Sequence, residues 1–349
     1  MVRWGRYLLA LVVVSVVAVV LRMDPNQPTH RVPHPRQAVL LFAGDVMQHT
    51  PQIEAARRGV AYHYESVFES VHSYFSSADI AVVNLETTLS EEPPYTGYPL
   101  FRAPAALAHA LARCGVDVAC LANNHALDWG AEGVRRTARI LDREGIRRVG
   151  VYRDSTDFAR HHILRLESRG LRFALMNYTY GTNGMPVPQG MVINRIDTLR
   201  MARDLAAVAD VDCRIVCIHW GNEYERRPNV EQRRLAAFLR RNGADVIIGH
   251  HPHVIQPYVA DSSHLCFYSL GNFVSNQRKR YCDGGLMVRV TVTSLPDGRL
   301  DLRAEAIPVW VDKRAGYRVV PLVDRDSVVR NDACELFRRD TRMLLSEGL

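Results

Sequence analysis

Carboxylate, amide and imidazole side chains recur in this sequence directly after short apolar runs. Gly44-Asp45 follows the run 40–43, Asn84-Leu85-Glu86 follows 80–83, Asn123-Asn124-His125 follows 116–122, and His251-Pro252-His253 follows 246–249. A fifth cluster, His219-Trp220-Gly221, follows 214–218. Mixed oxygen and nitrogen donors are the ligands of divalent transition metals, and such metals supply hydrolytic chemistry. The runs are β-branched and nearly continuous in apolar residues, which suits strands buried on both faces. Strand ends are where α/β folds gather functional groups, so the five segments are expected to converge on one metal site.

In an extended segment His251 and His253, two positions apart, face the same side and suit two ligands of one centre, while His250 faces away. Glu86 ends a strand expected to be buried, where a carboxylate needs a cation or a proton. A position between two divalent metals meets that need. Asn124 and His125 offer a carbonyl oxygen and an imidazole at one turn, and Asp128 either orients His125 or caps the helix that starts near Gly130. Asp45 also fits a helix N-cap, and His219 a hydrogen-bonded core histidine, although Asn222-Glu223 after it argue for a site. His63, His72, His109, His161, His162 and His264 lack such contexts and are expected at the surface or in structural roles.

The elements that must position these groups alternate between short apolar strands and amphipathic helices from residue 38 to about 293, the pattern of an α/β domain. Helices are expected over 62–76, 104–114, 130–144, 198–209 and 230–241, with Gly115, Gly145 and Gly243 at C-terminal caps. A loop between 173 and 194, rich in Gly, Asn and Pro around 181–186, is placed to border a substrate cleft. Beyond Asp283, strands 286–293 and 302–307 with a turn at Asp297-Gly298 close the same domain.

The balance of 44 Lys and Arg against 37 Asp and Glu leaves a net charge of +7, which favours anionic surroundings. The arginines lie along helices without interleaved stacking aromatics, which speaks against nucleic acid as a partner. With 47% hydrophobic and 23% charged residues, wholesale disorder is excluded. Arg3 and Arg6 precede an apolar stretch over 7–21, and no small-residue cleavage motif follows it. Residues 1–23 are therefore expected to be an uncleaved signal-anchor, 24–37 a linker, and 38–349 a domain outside the cytoplasm, with a secreted form as the alternative. The seven cysteines show no CxxC pair or zinc-knuckle spacing and read as small core residues.

Six ordered stretches carry a family resemblance: Phe-Ala-Gly-Asp-Val-Met (42–47), Val-Asn-Leu-Glu (83–86), Ala-Asn-Asn-His-Ala-Leu-Asp (122–128), His-Trp-Gly-Asn-Glu-Tyr (219–224), Gly-His-His-Pro-His-Val (249–254) and Tyr-Ser-Leu-Gly-Asn-Phe (268–273). Over about 40–290 the chain resembles the CapA-type capsule (poly-γ-glutamate) biosynthesis branch of the calcineurin-like metallophosphatases. The resemblance implies a four-layer α/β/β/α sandwich with two mixed sheets. It implies that Asp45 and His253 bind a first metal, that Glu86 bridges, and that Asn124, His219 and His251 bind a second. His125, with Asp128, would stabilise or protonate the departing oxygen, while Asn84, Asn123 and Asn272 would support the ligands as amides. Met47 stands where the wider superfamily has the His of Asp-x-His, so one nitrogen ligand is absent. Two divalent ions, Mn, Fe or Zn, suit the donors. The implied role is phosphoester hydrolysis on an anionic envelope or capsule polymer or a lipid-linked phosphate. The rivals are a polyanion-binding assembly factor of a capsule synthase and an amide hydrolase of a γ-glutamyl polymer.

Overall fold

The computed structural model describes residues 35–322 and 331–347. The expected anchor and most of the linker lie outside the described residues. Among the described residues no helix is long and apolar enough to cross a membrane.

Two sheets face each other because their strands alternate two sets of apolar side chains. In the strand Arg36–Val46, Leu40 and Phe42 pack between the sheets with Phe173, Ile215 and Ile248, whereas Leu41 and Ala43 pack outward beneath helices with Leu107, Leu111 and Ile140. In the strand Cys213–His219, Ile215 and Cys217 face inward, and Val216 and Ile218 face outward against Met201, Leu205 and Leu239. Three apolar layers thus separate helix, sheet, sheet and helix, which is the four-layer sandwich expected.

Both sheets are mixed. In the first, Arg36–Val46 runs parallel to Ile80–Leu85, which is followed outward by Val118–Cys120 and Arg147–Val149, and antiparallel to Gly284–Ser294, which leads to Leu300–Asp312 and Arg318–Pro321. In the second, Leu171–Thr179, Cys213–His219, Val246–His250 and His264–Phe267 are parallel, with antiparallel strands Leu164–Ser168 and Tyr258–Asp261 at the edges. The parallel strands from the two sheets end on the same side, where the polar clusters begin.

Several boundaries differ from expectation. The helix expected over 62–76 is broken into Glu65–Phe68, a 3-10 turn Glu69–Val71 and His72–Ser76. Its Ser, Val, His and aromatic residues are weak helix formers that lose side-chain freedom or compete for backbone hydrogen bonds. Short helices Thr50–Ala56 and Ser155–His161 and the terminal helix Asp332–Glu347 were not legible. The chain therefore closes on a helix after the expected strands, not on strands alone. The hairpin turn at Asp297-Gly298 forms as expected, with Gly298 at φ 83°. All seven cysteines are free and buried.

Candidate metal centre

At the end of Arg36–Val46 the ladder to Ile80–Leu85 slips between Ala43 and Asp45, so that Asp45 pairs with Asn84 on one side and Asn272 on the other. A bulge of this kind re-aims a side chain. Gly44 is required there because a Cβ would stand 2.1 Å from the Gly271 carbonyl oxygen, whose acceptor role for the Asp45 N–H at 2.9 Å holds the turn. Asp45 is fully buried and is not a helix cap. It accepts from Asn84 Nδ2 at 2.8 Å and from the ring nitrogens of His250 at 3.1 Å and His253 at 3.2 Å. Burial alone would raise its pKa, but the hydrogen bonds from His250 and His253 hold it well below the usual carboxylate range.

Glu86, one residue past its strand, is completely buried. Oε2 accepts from Asn84 Nδ2 at 3.3 Å, while Oε1 has no hydrogen-bond partner among the described residues and lies 3.7 Å from His219 Nε2 and 3.8 Å from His253 Nε2. Burial, then the charges of Asp45, Glu223 and Asp128, push its pKa well above the ordinary value. His219 and His251 are driven the other way: burial and neighbouring imidazoles lower His251 to about 3 and put His219 well below its ordinary value, so both rings are neutral. The Nδ1 atoms of both are buried without partners. His253 places Nδ1 within 3.1 Å of Asn272 Oδ1 as well as near Asp45, so its proton sits on Nδ1 and its Nε2 lone pair looks toward Glu86.

Among the described residues three donor sets arise, Asp45/Glu86/His253, Glu86/His219/His251 and Glu223/His251/His253, each with its ligand atoms within 4.8 Å of one another. Glu86 belongs to the first two. Asn124 joins them through Oδ1, 2.8 Å from His219 Nε2, while its Nδ2 donates to Asn183 Oδ1 at 3.2 Å. The loop that carries Asn183 therefore borders the site as expected, but residues 173–179 of the expected loop belong instead to the buried strand Leu171–Thr179.

His125 stands beside this group. Its Nδ1 is 2.8 Å from Asp128 Oδ2, an oxygen that also accepts from the Phe101 N–H at 2.6 Å. Asp128 thus orients His125 and does not cap the helix Gly130–Arg143, whose N-cap position is Trp129. Phe101 packs edge-on against the His125 ring with centroids 4.6 Å apart. Asn123 braces the turn by accepting from the His125 N–H at 3.1 Å and donating to the Leu85 carbonyl at 2.9 Å and Asn84 Oδ1 at 3.3 Å. Asn272 Nδ2 donates to the Cys282 carbonyl at 2.9 Å, which aims its oxygen at His253.

Residues 39–277 match the family of bacterial capsule synthesis proteins PGA_cap, a span that holds every member of the three donor sets, Asn124 and the His125–Asp128 pair. The chain belongs to the PGA_cap family. It is 27% identical over 304 residues to a Bacillus anthracis "Capsule biosynthesis protein CapA", covering 83% of this chain and 72% of that protein. It is also 27% identical over 290 residues to a Bacillus subtilis (strain 168) "PGA biosynthesis protein CapA", covering 78% and 73%. A Staphylococcus aureus structure solved as a candidate 5′-nucleotidase with α-ketoglutarate superposes with a TM-score of 0.51 at 12% identity over 88% of this chain and 58% of that one, a likeness of fold.

Within this PGA_cap chain two expectations need correction. His251 and His253 are not in an extended segment: the strand ends at His250, and the pair reaches the centre through left-handed backbone, φ 97° and 57°. His250 does not face away. It donates to Asp45, and although burial would lower its pKa, Asp45 and the Cys217 thiol raise it to about 9. Sequence reasoning also passed over Tyr180, whose ring lies 4.6 Å from His251 and is stacked 6.2 Å from His219. Its position directly after an apolar strand was the available signal. His49, packed edge-on against Phe101 and lowered to about 4 mainly by burial, carried no comparable signal.

Proposed function

We propose that this PGA_cap protein is a metal-dependent phosphoester hydrolase acting on an anionic envelope or capsule species, and that an N-terminal anchor holds it at the membrane outside the cytoplasm. The observation that carries the hydrolase reading is Glu86 Oε1, a buried carboxylate oxygen without a hydrogen-bond partner, facing two imidazoles. A lone buried carboxylate is costly in the absence of a cation or a proton. Asp45, Glu86 and His253 would hold one divalent ion and Glu86, Asn124, His219 and His251 a second, with Mn, Fe or Zn suited to the mixed donors. Bound ions supply charge neutralisation at a phosphoryl group and acidify a water molecule.

The protein's own contribution is orientation and proton transfer. Asp128 holds His125 by Nδ1, so Nε2 is the nitrogen left to deliver a proton to the departing oxygen. Asn84 and Asn272 keep Asp45 and His253 in place through fixed amides, and Asn123 holds the His125 turn. The Arg3 and Arg6 pair before the apolar stretch 7–21 supports the anchor, and the net positive charge supports an anionic substrate. Capsule and PGA biosynthesis in the names of the relatives supports a polymer-related role beside a synthase.

The test is elemental analysis of purified protein together with hydrolysis of phosphodiesters and monoesters by the parent chain and by Asp45→Ala and His251→Ala. About two ions per chain and activity lost in both variants is the expected result for a two-ion site. Metal-loaded protein without turnover on any phosphoester would overturn the reading and favour polyanion binding without catalysis. Met47, in place of a ligand histidine, is the observation on that side.

A further inference from the structure

Next to the metal-type centre, and separated from it by a single ring, lies a cavity of about 510 Å³ lined by Tyr180, Ile196, Trp220, Gly221, Leu235 and Phe238. Its size falls within the roughly 300–1,000 Å³ of small-molecule pockets. Tyr180 is the shared wall, since the same side chain that lines this cavity packs on His219 and His251. Trp220 and Gly221 continue the chain directly from His219 into the cavity. Gly221 sits at φ 83°, and a Cβ on it would meet Gln232 Cδ at 2.6 Å, so the chain can leave the centre and form the cavity floor only with glycine there.

Several of the polar groups around this cavity are engaged with other protein groups. Trp220 Nε1 donates to the Tyr268 carbonyl at 2.8 Å, Gln232 is held by Gln256 and the Asn229 N–H, Asn222 Nδ2 donates to Glu225 at 3.1 Å, and Arg234 pairs with Glu231 at 3.0 Å. What the walls offer an occupant is therefore mainly apolar and aromatic surface, and the two charges at the rim, Arg234 and Glu231, face each other in an exposed pair.

We infer that this cavity receives the uncharged, apolar or aromatic organic group of the ester whose phosphate lies at the metal centre, so that the preferred substrates are amphipathic phosphoesters. This rests on the phosphoester reading above and narrows it to esters with a hydrocarbon or ring close to the phosphorus. Polyanionic segments, which carry charge at every unit, do not fit these walls.

The test is calorimetric binding of 1-naphthylphosphonate and methylphosphonate to the full chain in the presence of Mn²⁺. The variants are Leu235→Asp, which puts a charge in the wall, and Thr198→Trp, which fills the cavity from its rim. The parent should prefer the naphthyl compound by about tenfold or more, as burial of roughly 60 Å² of apolar surface would give. Both variants should bind methylphosphonate as the parent does and lose the preference. Equal binding of the two phosphonates by the parent, or a preference that survives both variants, overturns the cavity assignment and leaves the phosphoester reading intact. Failure of both phosphonates to bind the parent overturns that reading and this inference with it.

Discussion

His250 donates from Nδ1 to Oδ1 of Asp45 across 3.1 Å, joining the end of a strand of the second sheet to the end of a strand of the first. The other oxygen of the same carboxylate faces His253 at 3.2 Å. One buried acid is thus oriented by two histidines three residues apart.

The His125–Asp128 pair should behave as a proton-transfer unit. His125→Ala is expected to lower kcat by about 10²–10⁴-fold, the usual contribution of a general acid, with metal content unchanged. Asp128→Asn, which keeps the size of the partner and removes its charge, should give a smaller loss and move the alkaline limb of the pH–rate profile, the limb set by a general acid, measured on one phosphoester for all three proteins.

Glu86 should set the response to metal removal. Stripping metal from the parent with a chelator should lower its melting temperature, since a ligand at 100 times its dissociation constant stabilises by about 2.7 kcal/mol. Glu86→Gln replaces a buried, uncompensated acid with a neutral amide, so the chelated variant should melt above the chelated parent. It should show little further gain when Mn²⁺ is restored. Differential scanning calorimetry with and without Mn²⁺ separates these outcomes; a variant that gains as much from Mn²⁺ as the parent would count against Glu86 as a ligand.

Gly44→Ala should be far more damaging than a surface glycine substitution. The added methyl meets backbone, not a side chain that can move, at 2.1 Å. Overpacking typically costs about 1–3 kcal/mol, and the upper end is expected here. Gly59→Ala, with no atom within 4 Å of the added Cβ, is the comparison for strain at positive φ without a clash. Urea denaturation of both variants checks the difference.

Arg148 and Asp157 form a buried pair away from the centre, with contacts of 2.8 and 2.9 Å and each side chain 3% exposed. Burial would raise the pKa of Asp157, but Arg148 and Arg153 hold it well below the ordinary range. A depressed carboxylate contributes stability that is complete above its unfolded value of about 3.9 and is lost as pH falls through the folded one. Arg148→Ala should therefore cost about 3–5 kcal/mol at neutral pH and flatten the loss of stability below pH about 4. Urea midpoints measured from pH 7 down to 3 test both parts.

Much of the centre was legible because buried parallel strands write themselves as apolar runs, and a polar residue at their end stands out. Asp45, Glu86, Asn124 and His219 were found that way. The way His251 and His253 reach the centre was not, because left-handed backbone at non-glycine residues is imposed by packing and leaves no trace in residue type. His250 was assigned to the wrong side for the same reason, once a period of two was carried past the strand end. His49 acts through packing against another ring, a relation between distant segments that one sequence does not display, whereas Tyr180 could have been found from its place directly after an apolar strand. The broken helix over 62–76 shows the converse: its residue types were readable, but an amphipathic pattern outweighed their weak propensity.

The donors are dealt out along nearly the whole domain, from Asp45 in the first sheet to His253 in the second, with Asn272 behind them. No contiguous half of the polypeptide owns the pocket. A chain that ends at residue 252 keeps Asp45 and Glu86 and lacks the imidazole that completes two of the three donor sets, so the centre is whole only once strands of both sheets have been made.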